Sequence, residues 1–588
     1  MSNKKEEWKD GLYGDEVREK ILEFAERGWE SIPEDERDEW FTRFKFWGLF
    51  HHRSGQESYF MMRLTNCGGV LEPGQLRAIG EVARDYAVGP VENPEFGDAW
   101  IDLTTRQSVQ LHWLKLEDVP EIWEQLEAAG VSSRSAGGDT MRNISGCPVA
   151  GKGEEYVESR DILDEIQAEI RDDDELCNMP RKFNISVSGC RQGCAQDAIN
   201  DIGLEPAHKL IEGEETKGFN VRVGGGLGGR KPRRARSLDL FVCPEQAVET
   251  VRSFVELYHE EGNRQNRSKN RARFFVDELG TDEIRSMLED RLAFELESAG
   301  TNFRGEYTYN AGRPTERGAH DHVGVYDQAD GTNYVGLSVP VGRLPADEVI
   351  ELADLADEYG SGEVRLTRRQ NPLVMDVPDD ALDELLAESL LEKHKPEPNP
   401  FVQGTMACTG TEFCSLALTE TKARTARVLR WLGENVSLPD DVERIKIHYS
   451  GCTADCGQAM TADIGLQGMR ARKDGEMVEA LDVGVGGGMG TDPSFVEWVR
   501  QRVPADELPG LLRNLLESYA ALREEGQPFR EWVEATGHET LVELAEPEEV
   551  SGYTDPCLAD GKQSWYPFDD GPSPAPTAPD GTPLEADD

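Results

Sequence analysis

The chain is short of positive charge. Among its 588 residues, 63 are Lys or Arg and 113 are Asp or Glu, for a net charge of −50. The imbalance runs along the whole length rather than sitting in one tail. Nucleic-acid backbones are bound by concentrated positive charge, so no nucleic-acid partner is expected. Long apolar runs are missing too. None approaches the roughly 18 residues of a membrane span, so no membrane association is expected. The start, "MSNKKEEWKDGLYGDE", has no apolar signal core and is too acidic for a transit peptide, which makes the cytoplasm the expected location. No C-x2-C pair occurs among the 11 cysteines. That removes the tight knuckles of most structural zinc sites. An odd number of cysteines in a long cytoplasmic chain argues for metal or redox work over a disulfide framework. No flavin module is visible either, so a redox enzyme of this sequence would draw electrons from a separate protein.

What is present is organised by repetition. Residues 1–50 read as a helical extension, amphipathic with charged faces over 5–45. Residues 51–125 read as strands around the helix "PGQLRAIGEVARDYA", and 315–395 repeat that plan around "PADEVIELADLADEYG". Larger α+β stretches follow each, over 130–300 and 400–545. The Pro-rich acidic end, 560–588, reads as a disordered tail. Three landmarks fix the repeat. Arg106 of "TTRQS" matches Arg369 of "TRRQN", Cys190 matches Cys452, and "VGGGLGG" from Val223 matches "VGGGMG" from Val485. The near-constant offset implies a duplication. The expected fold is α+β, with two halves related by a pseudo-twofold axis and a site where they meet.

The cysteines concentrate in this repeat. "HYSGCTADCGQ" carries Cys452 and Cys456, and "SVSGCRQGCAQ" carries Cys190 and Cys194. The second half adds Cys408 and Cys414, five residues apart in "ACTGTEFCSLALTETK". Four thiolates can hold zinc or a [4Fe–4S] cluster, or the cysteines can be buried without a metal. The wide spacing favours the cluster. A helix opening near Cys414 would aim backbone N–H groups at it.

C-x5-C followed by G-C-x3-C resembles the signature of the sirohaem- and [4Fe–4S]-containing nitrite and sulfite reductases. The likeness extends over about residues 45–540, since both halves fit. It implies the duplicated fold of that family. The segments 51–125 and 315–395 become ferredoxin-like half-domains, and 130–300 and 400–545 become sirohaem- and cluster-facing domains. It implies one [4Fe–4S] cluster on Cys408, Cys414, Cys452 and Cys456, with Cys456 also bridging to sirohaem. The first copy, Cys147, Cys190 and Cys194 with Cys177 nearby, then reads as a relic of duplication. Arg106, Arg142 and Lys182 match the family's three basic substrate residues. The fourth position separates substrates, K-x-K for sulfite and K-x-N for nitrite. Here Lys182-Phe183-Asn184 fits nitrite, which carries one negative charge where sulfite carries two. The resemblance thus implies reduction of nitrite to ammonium with ferredoxin as donor, and a sulfite reductase on the same scaffold is the rival. A Tyr–Cys crosslink found in some of the family cannot form, because Gly137 stands at the cysteine position.

"GGGLGG" (224–229) matches a dinucleotide-binding pattern in letters only. The "RKPRRARS" that follows argues against the helix that pattern requires. A turn where backbone approaches backbone or the macrocycle is expected instead. "GRKPRRARS" (229–237) and "NRQNRSKNRAR" (263–273) are the dense basic stretches, candidates to dock an acidic ferredoxin. The acidic surface, rich in Arg over Lys, is similar to that of proteins from salt-loving organisms, where ~1 M salt cuts the Debye length to about 3 Å.

Overall fold

The structure, a computed structural model, describes residues 3–302 and 321–555 apart from 54, 55, 94, 154, 191, 230, 443 and 491. The tail expected over 560–588 lies outside the described residues. The fold is the α+β arrangement expected, with four sheets among the described residues.

Two of these sheets are interlocked. One runs Leu49–His51, Phe60–Arg63, Val109–Leu114, Gly97–Leu103 and ends on Arg343–Pro345. Another runs Gly324–Asp327, Asn333–Gly336, Pro372–Val377, Val364–Leu366 and ends on Val70–Leu71. Each therefore takes its last strand from the opposite half. Arg343 pairs with Asp102, and Val364 pairs with Leu71. A protruding edge of unpaired N–H and C=O groups is covered at both places by exchange. The helices Gln75–Tyr86 and Ala346–Tyr359 pack against each other over Gly80, where a Cβ would lie 2.8 Å from Ile350 Cγ1. Leu76, Ile79, Val349 and Leu352 share one hydrophobic core, so the two half-domains form a single body.

The N-terminal extension joins that core. It is three helices rather than one, Lys4–Gly11, Val17–Arg27 and Arg37–Phe44. Val17–Arg27 buries Val17, Ile21, Phe24 and Ala25, the spacing of one helix face. Gly28 follows it at φ +83, a conformation open to glycine.

The other two sheets carry the cysteine loops. Ile185–Val187 lies parallel to Ile202–Ile211, and Ile447–Ser450 lies parallel to Ile464–Lys473. The registers match across the duplication, with Ile185 opposite Ile202 and Ile447 opposite Ile464. At the meeting point, Gln196 and Gln458 exchange amide hydrogen bonds, each donating Nε2 to the other's Oε1 at 2.8 Å. Both have positive φ, 57° and 60°. Gln107 and Gln370 form a second such pair, at φ 54° and 62°. Gln107 Nε2 donates across to Leu366 O at 3.0 Å, and Gln370 Nε2 donates back to Leu103 O at 2.8 Å.

A buried ion network secures the exchanged strand. Arg343, wholly buried, donates to Asp102 Oδ1 at 2.7 Å and Oδ2 at 3.0 Å. Its Nη1 lies 2.8 Å from Glu412 Oε2, and its guanidinium sits 4.7 Å over the Trp100 ring. Removing one member of a buried ion pair leaves charge without compensation. Arg343→Met should therefore cost about 3–5 kcal/mol. The check is the chemical-denaturation midpoint at fixed salt, and a midpoint equal to the parent's would show that the network is dispensable.

Candidate functional site

All eight side chains singled out in the sequence line one cavity of about 460 Å³ between the halves. Cys408, Cys414, Cys452 and Cys456 form one wall, and Arg106, Arg142, Lys182 and Asn184 form another.

The cysteine wall is held from both sides. Cys408 follows the short strand Met406–Ala407, and its N–H donates to Tyr449 O at 3.1 Å. Phe413, next to Cys414, is clamped by first-half aromatics. Its ring stacks on His112 at 3.9 Å, with Trp113 at 4.9 Å and His52 at 4.8 Å. Thr105, next to Arg106, donates to Cys456 O at 3.0 Å. Burial, reinforced by Cys456 alongside, pushes the Cys408 thiol up to about 12 and raises Cys414 and Cys452 as well. Four thiolates together thus call for a cationic partner. Backbone N–H groups already offset part of the charge, from Gly451 to Cys408 Sγ at 3.2 Å and from Leu416 and Ala417 to Cys414. The donors to Cys414 come from a turn. The helix expected to open there starts later, as Lys422–Asn435. Among the described residues no three His, Cys, Asp or Glu converge tightly enough for one metal ion. A single tetrahedral zinc would need all four sulfurs about 2.3 Å from one point. Four cysteine thiols around one cavity are the donor set of a [4Fe–4S] cluster.

The opposite wall is cationic and largely unneutralised. Arg106 Nη1 donates to Asn200 Oδ1 at 3.0 Å, a neutral partner. Arg142 donates to two carbonyls, Ala136 O at 3.3 Å and Gly138 O at 2.8 Å, and its Nε is buried without a partner. Lys182 has no carboxylate at salt-bridge distance among the described residues. Burial pushes Arg106 down to about 10 and Arg142 down to about 9, and drives Lys182 well below its ordinary value. Neighbouring guanidiniums add to each shift, Arg271 at Arg106 and Lys182 and Arg63 at Arg142. The Nε of Arg271 and the Oδ1 of Asn184 are also buried without a partner. The desolvated guanidinium and ammonium donors fit a polyanionic group and a small anion beside it, with Asn184 Oδ1 an acceptor among them.

The duplicated positions show what a filled version looks like. The counterparts of Arg106, Lys182 and Asn184 are Arg369, Arg444 and Lys446. Arg369 Nη1 meets His448 Nε2 at 2.9 Å, Arg444 pairs with Asp321, and Lys446 Nζ lies 3.3 Å from Asp463. Cys194, the counterpart of Cys456, is buried with His322 Nε2 3.3 Å from its sulfur. Cys147 and Cys190 are packed in a hydrophobic core, and Cys177 packs against a different one. Two of the three duplicated cations, Arg444 and Lys446, are thus neutralised by carboxylates.

The glycine loops link each half to the other. The loop after Glu214–Val223 leads into the antiparallel strand Arg236–Val242, with no helix, so it is no dinucleotide fingerprint. Gly229 N donates to Thr453 O at 2.8 Å, and a Cβ on Gly228 would sit 3.1 Å from Ala454 O. In the mirrored contact a Cβ on Gly193 would meet Gly490 Cα at 2.9 Å. Gly137 packs on Phe50, where a Cβ would lie 2.5 Å from the ring, so both the thiol and the phenol of a crosslink are missing.

Several lining residues escaped the sequence reading: Lys45, Arg63, Arg271, Arg368 and Lys422. Arg368 had a signal. "TRRQ" has two arginines where "TTRQ" has one, and Arg368 lines this cavity while Arg369 serves the mirrored set. Arg271 hid in a stretch read as a docking surface. That stretch turns largely inward, with Arg264 on Glu6, Arg267 on Asp139 and Arg271 on Asp201.

Comparison with known proteins agrees with this anatomy. Residues 137–296 and 400–551 match the nitrite and sulphite reductase 4Fe-4S domain, and residues 94–129 and 326–390 match the nitrite/sulfite reductase ferredoxin-like half domain. The chain is 70% identical over 580 residues to the assimilatory ferredoxin-dependent nitrite reductase of Haloferax mediterranei, covering 98% of this chain and 99% of that one. It is 38% identical to the ferredoxin–nitrite reductase of Synechococcus elongatus, over 86% of this chain and 94% of that one. The solved structure of the Mycobacterium tuberculosis NirA protein superposes with a TM-score of 0.80 at 29% identity, covering 92% of this chain and 97% of that one. With both duplicated halves matched, the chain belongs to the nitrite and sulphite reductase 4Fe-4S family.

Proposed function

We propose that the chain is a ferredoxin-dependent assimilatory nitrite reductase that takes nitrite to ammonium by six electrons. One observation carries the reading. The four thiols and a largely unneutralised set of cations share a cavity, whereas the duplicated Arg444 and Lys446 are paired with carboxylates. The cofactors are sirohaem and one [4Fe–4S] cluster, as in the family. When bound, they supply electron delivery and an iron at which a small anion is reduced.

The chain's own residues do the rest. Cys408, Cys414, Cys452 and Cys456 would hold the cluster, and Cys456, exposed and lining the cavity, would also face the sirohaem. Arg271 and Arg368 suit the carboxylates of the macrocycle. Arg106, Arg142, Lys182 and Asn184 bind the substrate anion and hold protons near it. The reduction consumes eight protons, so donors in a water-poor cavity are required. Among the described residues no helix is long and apolar enough to cross a membrane. A cytoplasmic enzyme served by a ferredoxin fits the chain.

Asn184 governs the substrate. Its N–H donates to Asp201 Oδ2 at 2.9 Å, and Arg271 takes both Asp201 oxygens at 3.0 and 2.9 Å. With Asp201 already engaged, a lysine at 184 would add free positive charge to the cavity. Asn184→Lys should raise the sulfite-to-nitrite ratio of kcat/KM about tenfold. Turnover of both anions with reduced methyl viologen in high salt checks this, and an unchanged ratio would remove Asn184 as the discriminator. For the metal centre, Cys452→Ser should lose most iron and labile sulfide from the purified holoprotein. Cys190→Ser should retain both, and iron lost from it would mean the first cysteine copy also binds metal.

A further inference from the structure

The reading above uses no residue of the N-terminal extension, yet Lys45 reaches the same cavity. Its backbone is fixed there. A Cβ on Gly138 would sit 3.7 Å from Lys45 Cβ, and Gly137 packs against the Lys45 carbonyl. Ala136 and Gly138, in that same loop, offer the carbonyls that hold Arg142. Building on the nitrite-reductase reading, we infer that Lys45 is a further substrate-binding residue, receiving the nitrite anion together with Arg142 and Lys182.

Three observations carry this. First, the Lys45 ammonium has no carboxylate at salt-bridge distance among the described residues, and only the Phe50 ring faces it, at 5.9 Å. The nearby acid, Asp139, is already claimed by Lys9 at 3.4 Å, by Arg181 at 3.1 Å and by Arg267. Second, Lys45 lines the cavity with further cations beside it. Lys5 and Arg181 are its neighbours, and the Arg181 side chain is 33% exposed. Burial and these neighbouring cations push the Lys45 ammonium down to about 8, so the spot is short of negative charge. Third, a chain of net charge −50 repels nitrite, and in the ~1 M salt suited to such a surface long-range steering fades beyond about 3 Å. Substrate capture then depends on cations met at contact, inside the cavity, where salt screens least.

The test uses the intact holoenzyme and two ligands of the haem iron. Nitrite is titrated optically against the oxidised protein, and carbon monoxide, which is uncharged, against the reduced protein. Lys45→Gln should weaken nitrite about tenfold, the size of one charge-assisted contact, and leave carbon monoxide within about twofold. Lys45→Arg should recover most of the nitrite affinity, and Lys45→Met should behave as the glutamine does, which guards against a packing effect. Nitrite affinity within about twofold of the parent in both neutral variants would overturn the inference. So would loss of sirohaem with both ligands weakened alike, because that would place the ammonium on the macrocycle. Nitrite turnover by the parent chain is scored separately, so failure of the activity reading is distinguishable from failure of Lys45.

Discussion

Two side-chain amides, on Gln196 and Gln458, hold each other at the point where the halves meet, and the rest of the architecture is arranged around that contact. Both residues pay for a left-handed backbone, which is tolerable because each turn is over-determined by its neighbours. The same logic recurs outward. Gln107 and Gln370 reach across to each other's half, each half-domain sheet borrows its last strand, and each glycine loop closes on the opposite cysteine loop. None of these contacts can form in one half alone. The cavity at the interface is therefore framed by both halves, as preorganised donors require.

A symmetric frame leaves the chemistry to be set by where symmetry breaks. On one side cations face open space. On the other, Asp321 and Asp463 neutralise Arg444 and Lys446, and His448 meets Arg369. An unpaired buried cation is expensive, so the open set is tolerable only if something anionic completes it. Thiolates grouped on the facing wall need the converse, a cationic cluster. The two demands meet in one cavity, so cofactor binding and folding of the interior are coupled. The acidic exterior has no part in this balance, because its charges are solvated and screened.

Much of this was legible in the sequence. The offset of 262 to 263 residues gave the duplication, and the spacing of Cys408, Cys414, Cys452 and Cys456 marked four thiols that line one cavity. Arg106, Arg142, Lys182 and Asn184 sit in local motifs, and all of them reach the cavity. The strand exchange was not legible, since a two-residue strand such as Val70–Leu71 has no period to detect. Lys45 and Arg271 were not either. Arg271 is turned by a distant carboxylate, Asp201, and Lys45 is placed by the packing of its backbone on Gly137. Periodicity reports which face of an element is apolar and is silent on which of several arginines turns inward. The misplaced helix start has a similar cause. Gly410 and the turn through Ala417 are set by cross-half packing of Phe413 on His112, which no local propensity encodes.

The duplication also refines what a two-letter substrate motif means. Lys446 occupies the position of Asn184, and both backbone N–H groups donate to an aspartate seventeen residues on, at 2.9 Å in each case. Yet Lys446 offers no free charge, because Asp463 takes its ammonium as well. Asp201 could do the same to a lysine at 184 if it were not already held by Arg271. The charge available at this corner is thus a property of three residues, Asn184, Asp201 and Arg271, and the third lies outside any short motif. A sequence with K-x-K but no arginine at the 271 position would present the cavity with no more net positive charge than this one does. The charge an anion would meet at this corner is the sum left unpaired by the interior ion pairs.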